Sequence, residues 1–286
     1  MLKNKIFHIT DESIKKYIVY LKNEECADNT IEKYVRDVRS FVAFLNGEPV
    51  TKEAAIEWKV KLKQTHAVTS INSMLAALNS FCAFFSLGIK IKPYRIQRQL
   101  SLPDKKDLSK AEYERLLQAA KSQANERLFH IIQTICATGI RVSELKYITA
   151  EAVRAGQTEV TNKSKTRSVF IPKTLQKALS AYAKKCKITS GCIFITRTGK
   201  PLNRSNIWTD MKKLCIDAEV DPTKVFPHNL RGLFSRTFYS LDKDLAKLAD
   251  TLGHSSVDTT RIYIMESSAK HRQIIEKLGL TRLHYT

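Results

Sequence analysis

The chain has 286 residues, 48 of them Lys or Arg and 28 Asp or Glu, for a formal charge of +20 at an ordinary 43% hydrophobic content. That length allows two packed cores, and no run of about eighteen apolar residues marks a membrane span. Met1 to Thr10 lack the apolar segment of a secretory leader, so the sequence reads as a cytoplasmic protein whose surface draws a polyanion, nucleic acid ahead of anionic lipid.

The charge is not confined to a tail: residues 1–100 hold 16 basic and 10 acidic side chains, and residues 101–286 hold 32 and 18. The first hundred residues predict helix throughout. A first helix falls around Asp11–Lys22. In "NTIEKYVRDVRSFVAFL", Ile31, Tyr34, Val38, Phe41 and Leu45 recur at steps of three or four and form one apolar face. Asn29 with Glu32 has the form of a capping box at its start. A third helix falls around Lys52–Lys63. "SINSMLAALNSFCAFF" gives a fourth, with Ile71, Leu75, Leu78, Cys82 and Phe85 on one face. Short gaps between the four suit a bundle, which sets a helical domain at residues 1–98.

"QLSLPDKKDLS" breaks the periodicity with Pro103 and a run of charges, so residues 99–108 read as a linker to a second domain at 109–286. Ser109 with Glu112 caps the next helix, and "LFHIIQTICATGI" predicts a buried helix ending near Gly139. "TEVTNKSKTRSVFIP" changes period. Val160 ends one β-prone run, Val169 to Ile171 form another, and the polar tip Asn162–Thr166 between them makes a hairpin. "CIFITRTGKP" predicts a third short strand, Cys192 to Thr196, then a turn at Gly199. Helices return from Ser205, and after Tyr263 "MESSAKHRQIIEKLGL" predicts an amphipathic helix with Ile274, Ile275 and Leu278 on one face. The fold class is therefore mainly α with a small β-sheet: a four-helix domain followed by an α+β domain. Six scattered cysteines form no C-x-x-C pair and read as free thiols, and Cys186 and Cys192 lack zinc-ligand spacing.

Four stretches place cationic or proton-carrying side chains beside turn residues: "ATGIRVSEL" (137–145), "TNKSKTRS" (161–168), "PHNLRGLFSRTF" (227–238) and "LGHSSVDTTRIY" (252–263). Arg141 and Arg231 offer planar forks matched to phosphate oxygens. Lys163 offers a proton donor at the hairpin tip, His228 and His254 offer imidazoles, and Tyr263 offers a hydroxyl able to form a covalent intermediate. No Asp/Glu cluster accompanies them, so two-metal phosphodiester chemistry is not indicated and neither metal nor cofactor is expected. The set suits attack of a tyrosine on a phosphodiester, with two arginines stabilising the charge on the non-bridging oxygens and a lysine protonating the leaving oxygen. Each residue has a plainer reading. Arg141 could form a surface ion pair with Glu144, His228 could cap its helix, Tyr263 could be a core aromatic, and the lysine-rich tip could be a solvated loop. Their joint occurrence in one order favours the chemistry.

That order resembles the tyrosine recombinases, the phage-integrase type of site-specific recombinase. Their "A-T-G-x-R-x-S-E-L", "H-x-L-R" and "L-G-H-S-S" with a tyrosine nine residues past the histidine are matched by "ATGIRVSEL", "HNLR" and "LGHSSVDTTRIY". The helices of the first hundred residues look like the family's core-binding domain. The resemblance implies a SAM-like core-binding domain at 1–98 and a catalytic domain at 109–286 that clamp double-stranded DNA. It implies strand cleavage and rejoining through a 3′-phosphotyrosyl bond, without ATP, by four protomers on paired sites. Arg141 and Arg231 would hold the scissile phosphate, His228 would exchange a proton with the nucleophile Tyr263, and His254 would hydrogen-bond the phosphate. Lys163 would be the general acid, with Lys165 its rival because "NKSKTR" lacks the glycines of the family's "G-K-G-x-K-x-R" and is one residue shorter. Gly232-Leu233 replace a frequent His-Thr. The C-terminal helix would dock on its own domain or on a neighbouring protomer. No extra arm-binding domain is visible, which suits a mobile-element integrase or a Xer-like resolvase of replicon dimers. The alternatives are an inactive DNA-binding protein of the same fold, a type IB topoisomerase, and a metal nuclease built on His228, His254 and Cys215.

Overall fold

Thr10 starts the first helix by a reciprocal cap: its hydroxyl accepts from the Ser13 N–H at 3.2 Å, and the Thr10 N–H donates to Ser13 Oγ at 3.0 Å. The computed structural model describes residues 6–96, 107–162, 165–196, 198–254, 256–264 and 276–277. The chain divides into two units, Met1–Arg98 and Gln99–Thr286.

The first unit contains α1 (Asp11–Asn23), α2 (Asp28–Leu45), α3 (Lys52–Leu62) and α4 (Val68–Phe84). The three-and-four spacing of apolar residues does what it predicts: Ile31, Val38, Phe41 and Leu45 of α2 and Ile71, Leu75, Leu78 and Cys82 of α4 are all buried. Phe41 meets Trp58 of α3 at a centroid distance of 5.1 Å, and Tyr17 of α1 meets Phe81 of α4 edge-on at 5.1 Å. The capping box expected at Asn29 and Glu32 is not formed. Ala27 holds the N-cap position with extended φ and ψ of −62° and 144° and makes no side-chain cap bond. Asn29 is already inside the first turn, where its backbone is helical.

The unit closes with a segment that pairs with side chains instead of a strand. Asn79 on α4 donates to the Ile91 carbonyl and accepts from the Ile91 N–H, both at 2.8 Å. Seven residues earlier on the same helix, Asn72 makes the same two bonds to Tyr94, at 2.9 and 2.8 Å. The Tyr94 ring lies under the ammonium groups of Lys59 and Lys63, at 4.1 and 4.5 Å.

The second unit begins with the tie between its first residues and a later helix. Arg236 donates to Asp107 Oδ1 at 2.9 Å and to the Leu108 carbonyl at 2.8 Å. The Ser109–Glu112 box then caps α5 (Lys110–Ser122) as the sequence predicts. Next come α6 (Glu126–Thr138), a 3-10 helix (Val142–Tyr147), α7 (Ala150–Ala155), the strands β1 (Gln157–Asn162) and β2 (Lys165–Phe170), and α8 (Lys173–Lys185). The chain continues through α9 (Arg204–Asp217), α10 (Pro227–Leu241), α11 (Leu245–Leu252) and α12 (Val257–Ile264). Ile131, Ile132 and Ile135 of α6 sit at the centre of the core, and Leu116, Leu179, Leu214 and Leu230 belong to the same buried cluster. No helix among the described residues is long and apolar enough to cross a membrane.

β1 and β2 form an antiparallel hairpin in which Gln157 faces Phe170 and Asn162 faces Lys165. The pairing runs further toward the turn than the Asn162–Thr166 tip drawn from the sequence. The third strand expected at Cys192–Thr196 is not formed. Cys192 bridges Thr149 and Ile195 bridges Pro201 as isolated pairs, because the segment splits its hydrogen bonds between two partners: Ile193 donates to Ile148 and Thr196 to Lys200. Lys163 lies outside the described residues, as do most of the linker and Ile274, Ile275 and Leu278 of the expected C-terminal helix.

Candidate active site

Two helix ends that both require glycine frame the site. α6 stops at Gly139, whose φ of 64° is left-handed. A Cβ there would lie 2.5 Å from the Phe234 ring. The turn delivers the Gly139 carbonyl to Arg231 of α10, which donates to it through one terminal nitrogen. The other terminal nitrogen donates to the Leu252 carbonyl at 2.6 Å and to His254 Nε2 at 3.0 Å. Arg231 is only 2% exposed. Burial first, then the neighbouring Arg141, pushes its guanidinium down to about 10, which still leaves it charged at neutral pH.

Arg141 stands at the start of the 3-10 helix. Its NH1 donates to Glu144 Oε1 at 2.9 Å and its NH2 to the Gly253 carbonyl at 3.2 Å. The ion pair with Glu144 that the spacing suggests does exist, but it is not a surface pair: Glu144 is 3% exposed. The carboxylate also accepts from the Arg141 backbone N–H at 2.9 Å and from Arg167 of β2 at 3.2 and 2.8 Å. Burial alone would raise this carboxyl, but the hydrogen bonds from Arg167 and Arg141 outweigh it and hold the group at about 2.

α11 ends at Gly253, again left-handed at φ 65°. Its last three carbonyls each accept from a different arginine: Thr251 from Arg167 at 3.2 Å, Leu252 from Arg231, and Gly253 from Arg141. The negative end of a helix with unpaired carbonyls is a favourable place for cations. His254 follows directly. Its Nδ1 lies 2.7 Å from the Thr260 hydroxyl. A guanidinium can only donate, so Nε2 is the acceptor and the proton sits on Nδ1. Burial first, then Arg231, Arg141 and Arg167, pushes His254 down to about 4, so the ring is neutral at physiological pH.

Tyr263 on α12 is 8% exposed. Its hydroxyl lies 3.0 Å from His228 Nε2 and 3.2 Å from Nδ1, facing the edge of that ring. Its own ring stacks on His254 at 5.8 Å with an interplanar angle of 11°. His228, next to Pro227 at the start of α10, is lowered by burial and then by Arg231 and Arg141. A Cβ at Gly232 would approach the Tyr263 ring to 3.4 Å, so α10 and α12 pack closely at this point. A cleft of about 350 Å³ opens beside these groups, lined by Arg141, Ser143, Arg204, Trp208, His228 and Arg231.

The structure thus brings together Arg141, His228, Arg231, His254 and Tyr263 out of three distant stretches. Lys163 lies outside the described residues, and Lys165 is fixed only as the backbone partner of Asn162. Cys215 is buried in the core with its thiol on the Met211 carbonyl, and no three metal-ligating side chains gather among the described residues. Sequence reasoning placed a helix end near Gly139, as observed, but missed the roles of Glu144, Arg167, Thr260 and Gly253. Chemically, a phenol beside an unprotonated imidazole can give up its proton, and two guanidinium groups can neutralise an oxyanion.

The sequence pattern of the phage integrase family matches residues 106–270, and that of the phage integrase N-terminal SAM-like domain matches residues 14–86. Tyrosine recombinase XerA of Pyrococcus furiosus is 26% identical over 282 residues, covering 95% of this chain and 96% of the relative. Tyrosine recombinase XerD of Pseudomonas aeruginosa is 30% identical over 260 residues, covering 83% and 86%. Among solved structures, the Tn1549 transposon integrase in complex with transposon right end DNA shares the fold with a TM-score of 0.71 at 16% identity, over 93% of this chain and 99% of that one.

Proposed function

We propose, on the premise that this chain belongs to the phage integrase family and is a site-specific tyrosine recombinase, that it cleaves and rejoins duplex DNA through a covalent 3′-phosphotyrosyl intermediate without metal or ATP. The observation that carries the reading is the Tyr263 hydroxyl held 3.0 Å from His228, a residue that lines one cleft with Arg141 and Arg231.

In the forward step Tyr263 Oη forms a bond to phosphorus and the bond from phosphorus to the 5′-oxygen breaks. The phenolic proton passes to His228, which burial, and after it the neighbouring arginines, hold below the ordinary histidine value and so ready to accept. The 5′-oxygen takes its proton from Lys163, the proposed general acid. Arg141 and Arg231 exchange backbone carbonyls for non-bridging oxygens and stabilise the added charge, a contribution of about 3–4 kcal/mol for each donor of this kind. His254 donates to the same phosphate once its proton moves to Nε2, an exchange the Thr260 hydroxyl permits because it can donate as well as accept. The phosphotyrosyl bond keeps the energy of the broken diester, so a second 5′-hydroxyl can attack it and join two strands.

Residues 1–98 are proposed as the core-binding domain, joined through 99–108 to the catalytic domain at 109–286, with four protomers acting on two DNA sites. The protein would work in the cytoplasm, where its DNA substrates are. The test uses DNA from the flanks of the protein's own gene and a denaturing gel. An SDS-resistant adduct should form in the presence of a chelator and disappear in Tyr263→Phe. An adduct that persists in that variant would move the nucleophile elsewhere, with Tyr239, packed against the same small cluster, the next to test.

A further inference from the structure

One buried cation at the site has no part in the chemistry above. Arg167 stands on β2 and its side chain is 11% exposed. Its NH1 and NH2 lie against the two oxygens of Glu144 at 3.2 and 2.8 Å, a fork on one carboxylate. Its Nε donates to the Thr251 carbonyl. Its stem fills the space over Gly253, where a Cβ would lie 2.5 Å from Arg167 Cδ. It therefore spans from the hairpin to the 3-10 helix that carries Arg141 and to the turn that carries His254.

We propose that Arg167 is a positioning residue that saturates Glu144, so that Arg141 stays available to a phosphate. Glu144 is a buried carboxylate with two oxygens to satisfy. With Arg167 in place, Arg141 gives it one terminal nitrogen and the backbone N–H, and keeps NH2 on the exchangeable Gly253 carbonyl. Without Arg167, an anion 3% exposed would have a single cation left. A buried charge that loses a partner is costly to leave uncompensated, and a carboxylate accepts a guanidinium through two parallel bonds. Arg141 would then turn its second nitrogen to Glu144 and leave the phosphate. The lost function is thus caused by a competing anion, and removing that anion should restore it.

This rests on the reading of the site given above, and the experiment separates the two. Single-turnover cleavage of a nicked duplex site is measured for the wild type, Tyr263→Phe, Arg167→Met, Arg167→Lys and the double variant Arg167→Met/Glu144→Gln, alongside DNA affinity and thermal unfolding. Arg167→Met should cleave about 100-fold more slowly, the scale expected when a catalytic group is displaced by an ångström. DNA affinity, spread over many phosphate contacts, should change little. Arg167→Lys keeps the charge but not the fork and should fall between the two; it also serves if the methionine variant does not fold. The decisive result is the double variant, which should cleave about 10-fold faster than Arg167→Met, a coupling of the size seen between contacting residues. A purely structural arginine would leave the double variant equal to or slower than the single one, and that outcome overturns the inference. So does wild-type cleavage in both Arg167 variants. A wild-type adduct that survives Tyr263→Phe would instead overturn the reading of the site.

Discussion

At the scale of single residues, two titrating groups link the site to pH in ways that can be told apart. His254 is held at about 4 in the folded protein, below the ordinary histidine value. The unfolded chain therefore takes up this proton first as pH falls, so the contribution of His254 to stability is complete above about pH 6.5 and is lost toward pH 4. Glu144, held at about 2, contributes fully above about pH 4.5 and loses that contribution as pH falls through 2. Urea midpoints at pH 7.5, 4.5 and 2.5 should fall in two stages, with His254→Gln removing much of the first and Glu144→Gln much of the second. An NMR titration of the free protein should show the His254 ring neutral at pH 5.5. Bound phosphodiester, being an anion beside it, should raise its titration.

At the scale of elements, α4 serves both as a core helix and as the partner of the segment that follows it. Asn79→Ala would leave the N–H and carbonyl of Ile91 without their partner, a loss of about 1–3 kcal/mol, read as an earlier unfolding transition of the full-length protein. The helices themselves are legible in the sequence because apolar side chains recur on one face, as Ile31 to Leu45 do. The carboxamides of Asn72 and Asn79 are not legible, since a polar residue on the other face of such a helix looks like a solvated one. The strand read at Cys192–Thr196 failed for a related reason. Ile193 and Phe194 are buried as a strand would bury them, but an apolar run does not reveal where the backbone bonds go. The convergence of Arg141, His228, Arg231, His254 and Tyr263 was legible because the motifs that carry them recur in a fixed order. The place of Arg167 was not legible, because its partners Glu144 and Thr251 lie 23 and 84 residues away. Glu144 was misread because three-residue spacing says nothing about burial.

At the scale of the whole molecule, a formal charge of +20 distributed over both halves makes the association with DNA an electrostatic one. Each neutralised phosphate should lower the slope of log affinity against log salt by about 0.9, so roughly 6–10 contacts would cost 10³–10⁵ in affinity between 50 and 200 mM salt. Titrations across that range should show a steep slope, and Arg141→Ala should flatten it by about one contact. A slope near zero would remove the polyanion reading altogether. The end of α11 has a different kind of consequence. Three arginines from three separate segments rest on the carbonyls of Thr251, Leu252 and Gly253. Main-chain oxygens are common to every amino acid, so a change of letter at Thr251 or Leu252 leaves the seats for those arginines in place. A change of length does not: one residue added or removed ahead of Gly253 rotates the helix end by about 100° and unseats all three at once. The arginine cradle is thus indifferent to much of the spelling of α11 and dependent on its register.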